Sequence, residues 1–152
     1  MQKSLRRLLL AAALLIVGAG TASAQPLQAQ TTGGVTYVAG GIGEDDVKAM
    51  REQAAGYSAL IEFVEVEPGS QRGNWTADIA VDVKSSKQLL ASINVPGPML
   101  LLRLAPGRYT LEATHGDVRL SKTLDIKPRG ALLRERFIWR AAAGSLGNEL
   151  RK

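Results

Sequence analysis

The sequence predicts a mainly β chain: an antiparallel β-sandwich of about seven strands, preceded by one short α-helix and following a cleaved export signal. Three observations predict it. Short runs of alternating apolar and polar residues recur between residues 57 and 140, the period of strands with one dry and one wet face. Turn signals interrupt these runs at short intervals, as in Pro96-Gly97-Pro98, Ala105-Pro106-Gly107 and Pro128-Arg129-Gly130, a spacing that suits a sandwich or barrel. The best helical period lies upstream of all of them, over Glu44–Ala55.

The chain opens with Met1-Gln2-Lys3-Ser4-Leu5-Arg6-Arg7, an apolar run from Leu8 through Val17, and small residues ending in Ala22-Ser23-Ala24 before Gln25. These are the charged, hydrophobic and A-x-A parts of a secretory signal. Cleavage is expected between Ala24 and Gln25. The apolar run is shorter than the roughly 20 residues of a transmembrane helix, so the mature protein is not expected to span a membrane. Arg6-Arg7 suits an ordinary signal and a twin-arginine signal alike.

Residues 25–34 are rich in Gln, Thr and Gly and read as a flexible leader. Val35-Thr36-Tyr37-Val38 suits one short strand, and Gly40-Gly41-Ile42-Gly43 breaks the chain. In the helix, Val47, Met50 and Ala54 form one apolar stripe. Glu44, Asp45 and Asp46 sit at its start, where carboxylates favour the positive end of the dipole, and Gly56 is placed to end it. Tyr57–Val66 is dense in aliphatic and β-branched residues and reads as a strand. Trp75–Lys84 alternates, with Trp75, Ala77, Ile79, Val81 and Val83 on one face. Leu89, Ala91, Ile93 and Val95 make a further set. Met99–Leu104 is a short apolar strand, Tyr109, Leu111 and Ala113 alternate again, and His115-Gly116-Asp117 supplies a tight turn. Val118, Leu120, Leu124 and Ile126 follow, and Ala131–Arg140 is the final strand. Residues 141–152 read as a tail. The expected organisation is therefore signal 1–24, leader 25–34, one domain over 35–140 with its sandwich from about residue 57, and tail 141–152.

Composition narrows the function. There is no cysteine, which removes disulfides and a lipid-modified N-terminal cysteine. The formal charge of +5 drops to +2 once Lys3, Arg6 and Arg7 leave with the signal, so the basic balance overstates the mature protein. The residual charge is uneven: residues 25–70 carry seven acids against Lys48 and Arg51, and residues 119–152 carry nine bases against Asp125, Glu135 and Glu149. Such asymmetry marks either an acidic partner or two ends that face each other in the fold. Nucleic acid is not expected as a partner, because no aromatic residues interleave with the cations as a stacking platform.

The segment Leu102-Arg103-Leu104-Ala105-Pro106-Gly107-Arg108-Tyr109-Thr110-Leu111-Glu112-Ala113 resembles the L-x-P-G-x-Y-T-L-x-A signature of carboxypeptidase regulatory-like domains, which have a transthyretin-like (prealbumin-like) β-sandwich. Ala80-Val81-Asp82-Val83 is similar to that family's early strand, and the likeness covers roughly residues 75–127. It implies that Pro106 and Gly107 form a corner between strands and that Tyr109 opens the next one. It also implies a non-catalytic accessory module, and it assigns no binding residue. The front, Tyr37–Val66, resembles that of small exported bacterial proteins that carry such a sandwich.

Candidate chemistry is sparse. Gly41-Ile42-Gly43 before a helix lacks the third glycine of a dinucleotide turn, since position 46 is Asp46, and three carboxylates there repel a phosphate. His115 is the only histidine; a zinc site needs three or four ligands, and no serine stands in a nucleophile-elbow context. His115 is expected in an exposed hairpin turn. The hydroxyisourate hydrolases that share the transthyretin-like fold need several histidines and a C-terminal Tyr-Arg-Gly-Ser, and this chain has neither. Asp78 and Asp82 share a strand face about 13 Å apart, too far to share an ion. Trp75, Phe137 and Trp139 fill a core or line a sugar platform, with Trp75 and Trp139 as the candidate ligand residues. The expectation is a non-enzymatic exported, periplasmic module without cofactor or metal, which contacts an envelope protein; the alternative is a small-ligand or glycan-binding domain, and a hydrolase using His115 is a third reading.

Overall fold

A computed structural model describes residues 27–140. The fold is mainly β, with ten strands in two stacked sheets and one short helix. The chain order is β1 Gln30–Thr32, β2 Val35–Gly40, α1 Glu44–Gln53, a 3₁₀ turn Ala54–Gly56, β3 Ala59–Val66, β4 Gly73–Trp75 and β5 Ile79–Ser85. There follow β6 Gln88–Val95, β7 Met99–Arg103, β8 Gly107–His115, β9 Val118–Ile126 and β10 Leu133–Arg140. The larger sheet has the order β1-β2-β7-β3-β10, with β4 continuing along β3 where β7 ends. The smaller sheet is β6-β5-β8-β9. The expected sandwich is present, with the helix lying outside it.

Two cores hold these layers together. Between the sheets, Ile61, Phe63, Val81, Val83, Leu111 and Phe137 are among the residues of one apolar cluster. On the outer face of the larger sheet, Val47, Met50 and Ala54 of the helical segment pack on Val38, Leu60, Met99 and Leu101, the stripe that the helical period marks. This second layer explains β7. Met99, Leu100, Leu101 and Leu102 are all fully buried, because one face of the strand meets the smaller sheet and the other meets α1. A strand covered on both faces carries an unbroken apolar run rather than an alternating one.

Four details depart from the sequence-based expectation. First, β1 lies within the segment expected to be a flexible leader, and it pairs antiparallel with β2. Gly33 and Gly34, both at positive φ, supply the turn that folds it back. Second, Trp75 and Ile79 do not belong to one strand. Asp78 has φ 58°, a left-handed conformation that ends an extended run. The alternating segment splits there into β4 of the larger sheet and β5 of the smaller. Third, Leu89 is 51% exposed although Ala91, Ile93 and Val95 are buried. The β5–β6 register jumps from Val83↔Ala91 to Lys84↔Leu89, so one extra residue in β6 inverts the facing of what precedes it. Fourth, the final strand pairs with β3 in parallel, from Leu133↔Ala59 to Arg140↔Val66, whereas the other ladders are antiparallel.

The Pro106-Gly107 corner carries the chain from β7 in one sheet to β8 in the other. The Tyr109 hydroxyl donates back to the Ala105 carbonyl at 2.9 Å, pinning the corner. A second pin lies beside it. The Ser58 hydroxyl donates to the Leu104 carbonyl at 2.8 Å and accepts from the Leu104 N–H at 2.9 Å. Ser58→Ala leaves both backbone groups without that partner and is expected to cost about 2 kcal/mol, read from the midpoint of urea unfolding.

Candidate binding surface

The helix α1 covers only part of the outer face of the larger sheet. The uncovered part is built by β4, the second half of β3 and β10. Cross-strand register sets its rows: Trp75 faces Val64, and Val64 faces Ile138. On one side of that row lie Gly73, Val66 and Arg140; on the other, Glu62 faces Arg136. Side chains directly opposite one another on neighbouring strands stand about 5 Å apart. The outer face therefore carries an apolar strip from Trp75 to Ile138, with guanidinium groups to either side of Ile138.

Gly73 makes room for this arrangement. A Cβ there would meet Val64 Cγ1 at 2.2 Å. The turn before it is held by the Ser70 N–H donating to the Glu67 carbonyl at 3.1 Å and by the Ser70 hydroxyl donating to the Arg72 carbonyl, also at 3.1 Å. Trp75 is 46% exposed and Ile138 42%. Two open clefts meet at Trp75. One, of about 740 Å³, lies against α1 and is lined by Val47, Lys48, Arg51 and Trp75 among others. The other, of about 680 Å³, is lined by Val64, Gln71, Trp75, Arg136, Ile138 and Arg140 among others. Arg136 donates to Glu62 Oε2 through Nη2 at 2.7 Å and Nε at 3.2 Å.

The residues singled out by sequence fall in different places. Ala22, Ala24 and Gln25 of the cleavage site lie outside the described residues, as does the 141–152 tail. The candidate Trp75–Trp139 platform is not formed, because the two rings lie on opposite faces of the larger sheet. Trp139 is 4% exposed, stacks on Phe137 with centroids 6.1 Å apart, and donates from Nε1 to the Val118 carbonyl at 3.1 Å. It is a core residue with a satisfied polar tip; Trp75 alone faces solvent.

His115 also sits differently from expectation. It is the last residue of β8, ahead of the Gly116-Asp117 turn, and its ring meets Trp139 edge-on at 5.6 Å. Its Nε2 lies 3.6 Å from Glu65 Oε2 and 3.3 Å from Thr76 Oγ1. A triad histidine uses one ring nitrogen for the orienting carboxylate and the other for the nucleophile. Here the carboxylate and the hydroxyl converge on the same nitrogen, so the trio clasps the two sheets together at one end and does not form a relay. Asp78 precedes β5, while Asp82 accepts from the Ser92 hydroxyl at 2.6 Å, so no carboxylate pair forms. Gly41 and Gly43 have φ of 90° and 85° and lead into the acidic first turn of α1. Asp125 lies at the opposite end of β9 from the His115 hairpin. A hydrogen bond from Lys127 at 2.6 Å holds its carboxyl below the usual range. Among the described residues, no group of three His, Asp or Glu is placed to hold a metal ion, and no helix is long and apolar enough to cross a membrane.

The arginines of β10 escape a reading by sequence alone. Arg134, Arg136, Ile138 and Arg140 are all exposed on one face, while Phe137 and Trp139 mark the same segment as core. Glu135 between the first two arginines and Ile138 among the exposed positions blur the alternation over 134–140. No protein-family model matches the chain and no curated protein matches it.

Proposed function

We propose that this protein is a non-enzymatic binding module of the cell envelope, exported by its N-terminal segment, and that it engages a partner protein through the outer face of the larger sheet around Trp75. The observation that carries this reading is Trp75 itself. A tryptophan nearly half exposed, at the junction of two open clefts and in line with exposed Ile138, is the kind of aromatic anchor that dominates protein interfaces. Export is supported by the charged, apolar and A-x-A order of residues 1–24. The accessory role is supported by the Pro106-Gly107-Arg108-Tyr109 corner, which resembles that of carboxypeptidase regulatory-like domains.

A second reading has one observation in its favour. Gln71, Ser70 and Arg136 share the second cleft with the Trp75 ring, and an aromatic face beside hydrogen-bond donors also suits a sugar ring.

Trp75→Ala separates binding from folding. It is expected to abolish enrichment of specific partners from envelope extracts by the tagged mature protein. Stability should fall by no more than about 1 kcal/mol, because the ring is only partly buried. Quantitative mass spectrometry of wild-type against variant eluates, with parallel urea melts, reads both. Identical eluates refute the Trp75 surface.

A further inference from the structure

The outer edge of β10 is unusual in its surroundings. The strand ends the larger sheet, and no described strand pairs with its far side. Such an edge presents unpaired backbone donors and acceptors at which a second chain can extend the sheet. Two clefts lie over the outer face of the strand and share Arg136 and Ile138. The second, of about 660 Å³, is lined by Glu62, Lys122, Arg134, Glu135, Arg136 and Ile138 among others, so it reaches around the edge to β9. Across both clefts, Lys122, Arg134, Arg136 and Arg140 stand against Glu62 and Glu135. Lys122 is paired with Glu135 and Arg136 with Glu62; Arg134 and Arg140 have no ion-pair partner among the described residues.

We propose that this edge takes an extended acidic segment of a partner protein, added as a further strand beside β10, with its carboxylates on Arg134 and Arg140 and an apolar side chain between them on Ile138. The spacing favours a strand over other occupants. Arg134, Arg136, Ile138 and Arg140 project from alternate positions of one strand, repeating at roughly 7 Å. An incoming strand repeats its own side chains at the same interval and lies within cross-strand reach. The partner pattern that fits is therefore an apolar residue flanked by acids on one face of the strand, all separated by even numbers of residues. This inference rests on the binding-module reading and specifies its partner. It also gives a role to Arg134 and Arg140, two of the cations in excess over residues 119–152.

The test uses the mature protein and three probes: a fluorescent peptide with two glutamates flanking a valine on one strand face and threonine elsewhere, its lysine-for-glutamate counterpart, and fluorescent oligogalacturonate. The glutamate peptide should bind, more weakly as salt rises, and should shift amide resonances of β10. The lysine peptide should not bind. Arg134→Glu with Arg140→Glu, both at exposed positions, should weaken the glutamate peptide by at least about tenfold. Equal binding of both peptides, an unchanged affinity in the double variant, or shifts that map away from β10 would each overturn the proposal. Binding of oligogalacturonate without the glutamate peptide overturns it in favour of an acidic glycan. If no probe binds while Trp75-dependent partner capture persists, the acidic-strand inference alone fails; if that capture fails as well, the binding-module reading fails with it.

Discussion

Trp139→Ala is expected to lower stability by about 3–5 kcal/mol, the cost of truncating a large aromatic side chain in a packed core. The ring packs against Phe63 and Phe137 with centroids 6.2 and 6.1 Å away, so its removal opens a void in the inter-sheet core. It also removes the Nε1–H bond to the Val118 carbonyl, a direct tie between the edge strands β9 and β10. Domains of this size are stable by only about 5–15 kcal/mol, so the variant should melt far below the wild type. Urea unfolding measures the loss. Fluorescence separates the two tryptophans: Trp75→Ala should leave a blue-shifted emission that iodide quenches poorly, and Trp139→Ala a red-shifted emission that it quenches well. A Trp139→Ala protein as stable as the wild type would show that the ring does not fill the core.

Gly33→Ala is expected to cost about 2–3 kcal/mol, while Gly34→Ala costs about 1 kcal/mol. Both glycines have positive φ, 53° and 80°, so both substitutions carry the strain of a left-handed backbone. They differ in what the new methyl meets. At Gly33 a Cβ would fall 1.5 Å from the Leu90 carbonyl oxygen; at Gly34 nothing lies within 4 Å. The difference between the two variants therefore isolates the close approach of the β1–β2 turn to β6, which helps close one side of the sandwich. Hydrogen exchange should show β1 and β2 losing protection in Gly33→Ala before the rest of the domain. Equal stabilities for the two variants would mean that the turn does not pack on β6.

Local patterns in the sequence carry most of the fold and little of the surface. Alternation in β5 and β8 and the stripe of α1 depend on near neighbours and are legible from them. Leu89 is not, because the extra residue in β6 is defined only against β5. Nor is the parallel β3–β10 pairing, which joins residues more than seventy positions apart through a register that neither strand encodes alone. Trp75 and Trp139 look equivalent in sequence, each within an alternating run. The left-handed Asp78 turns the first into a separate strand whose ring faces out, while β10 directs the second into the core. The Arg134–Arg140 row becomes a surface only once β10 lies at the edge beside β3.

On the proposed function, the outer face at Trp75 is where this protein meets its partner. This is tested most directly by placing a photo-crosslinking amino acid at position 75 in exporting cells, with position 89 as the control. Leu89 is equally exposed, at 51%, but lies on the smaller sheet. A discrete crosslinked protein is expected from position 75 and none from position 89. Crosslinks from position 89 alone, or the same products from both positions, would contradict the proposed function.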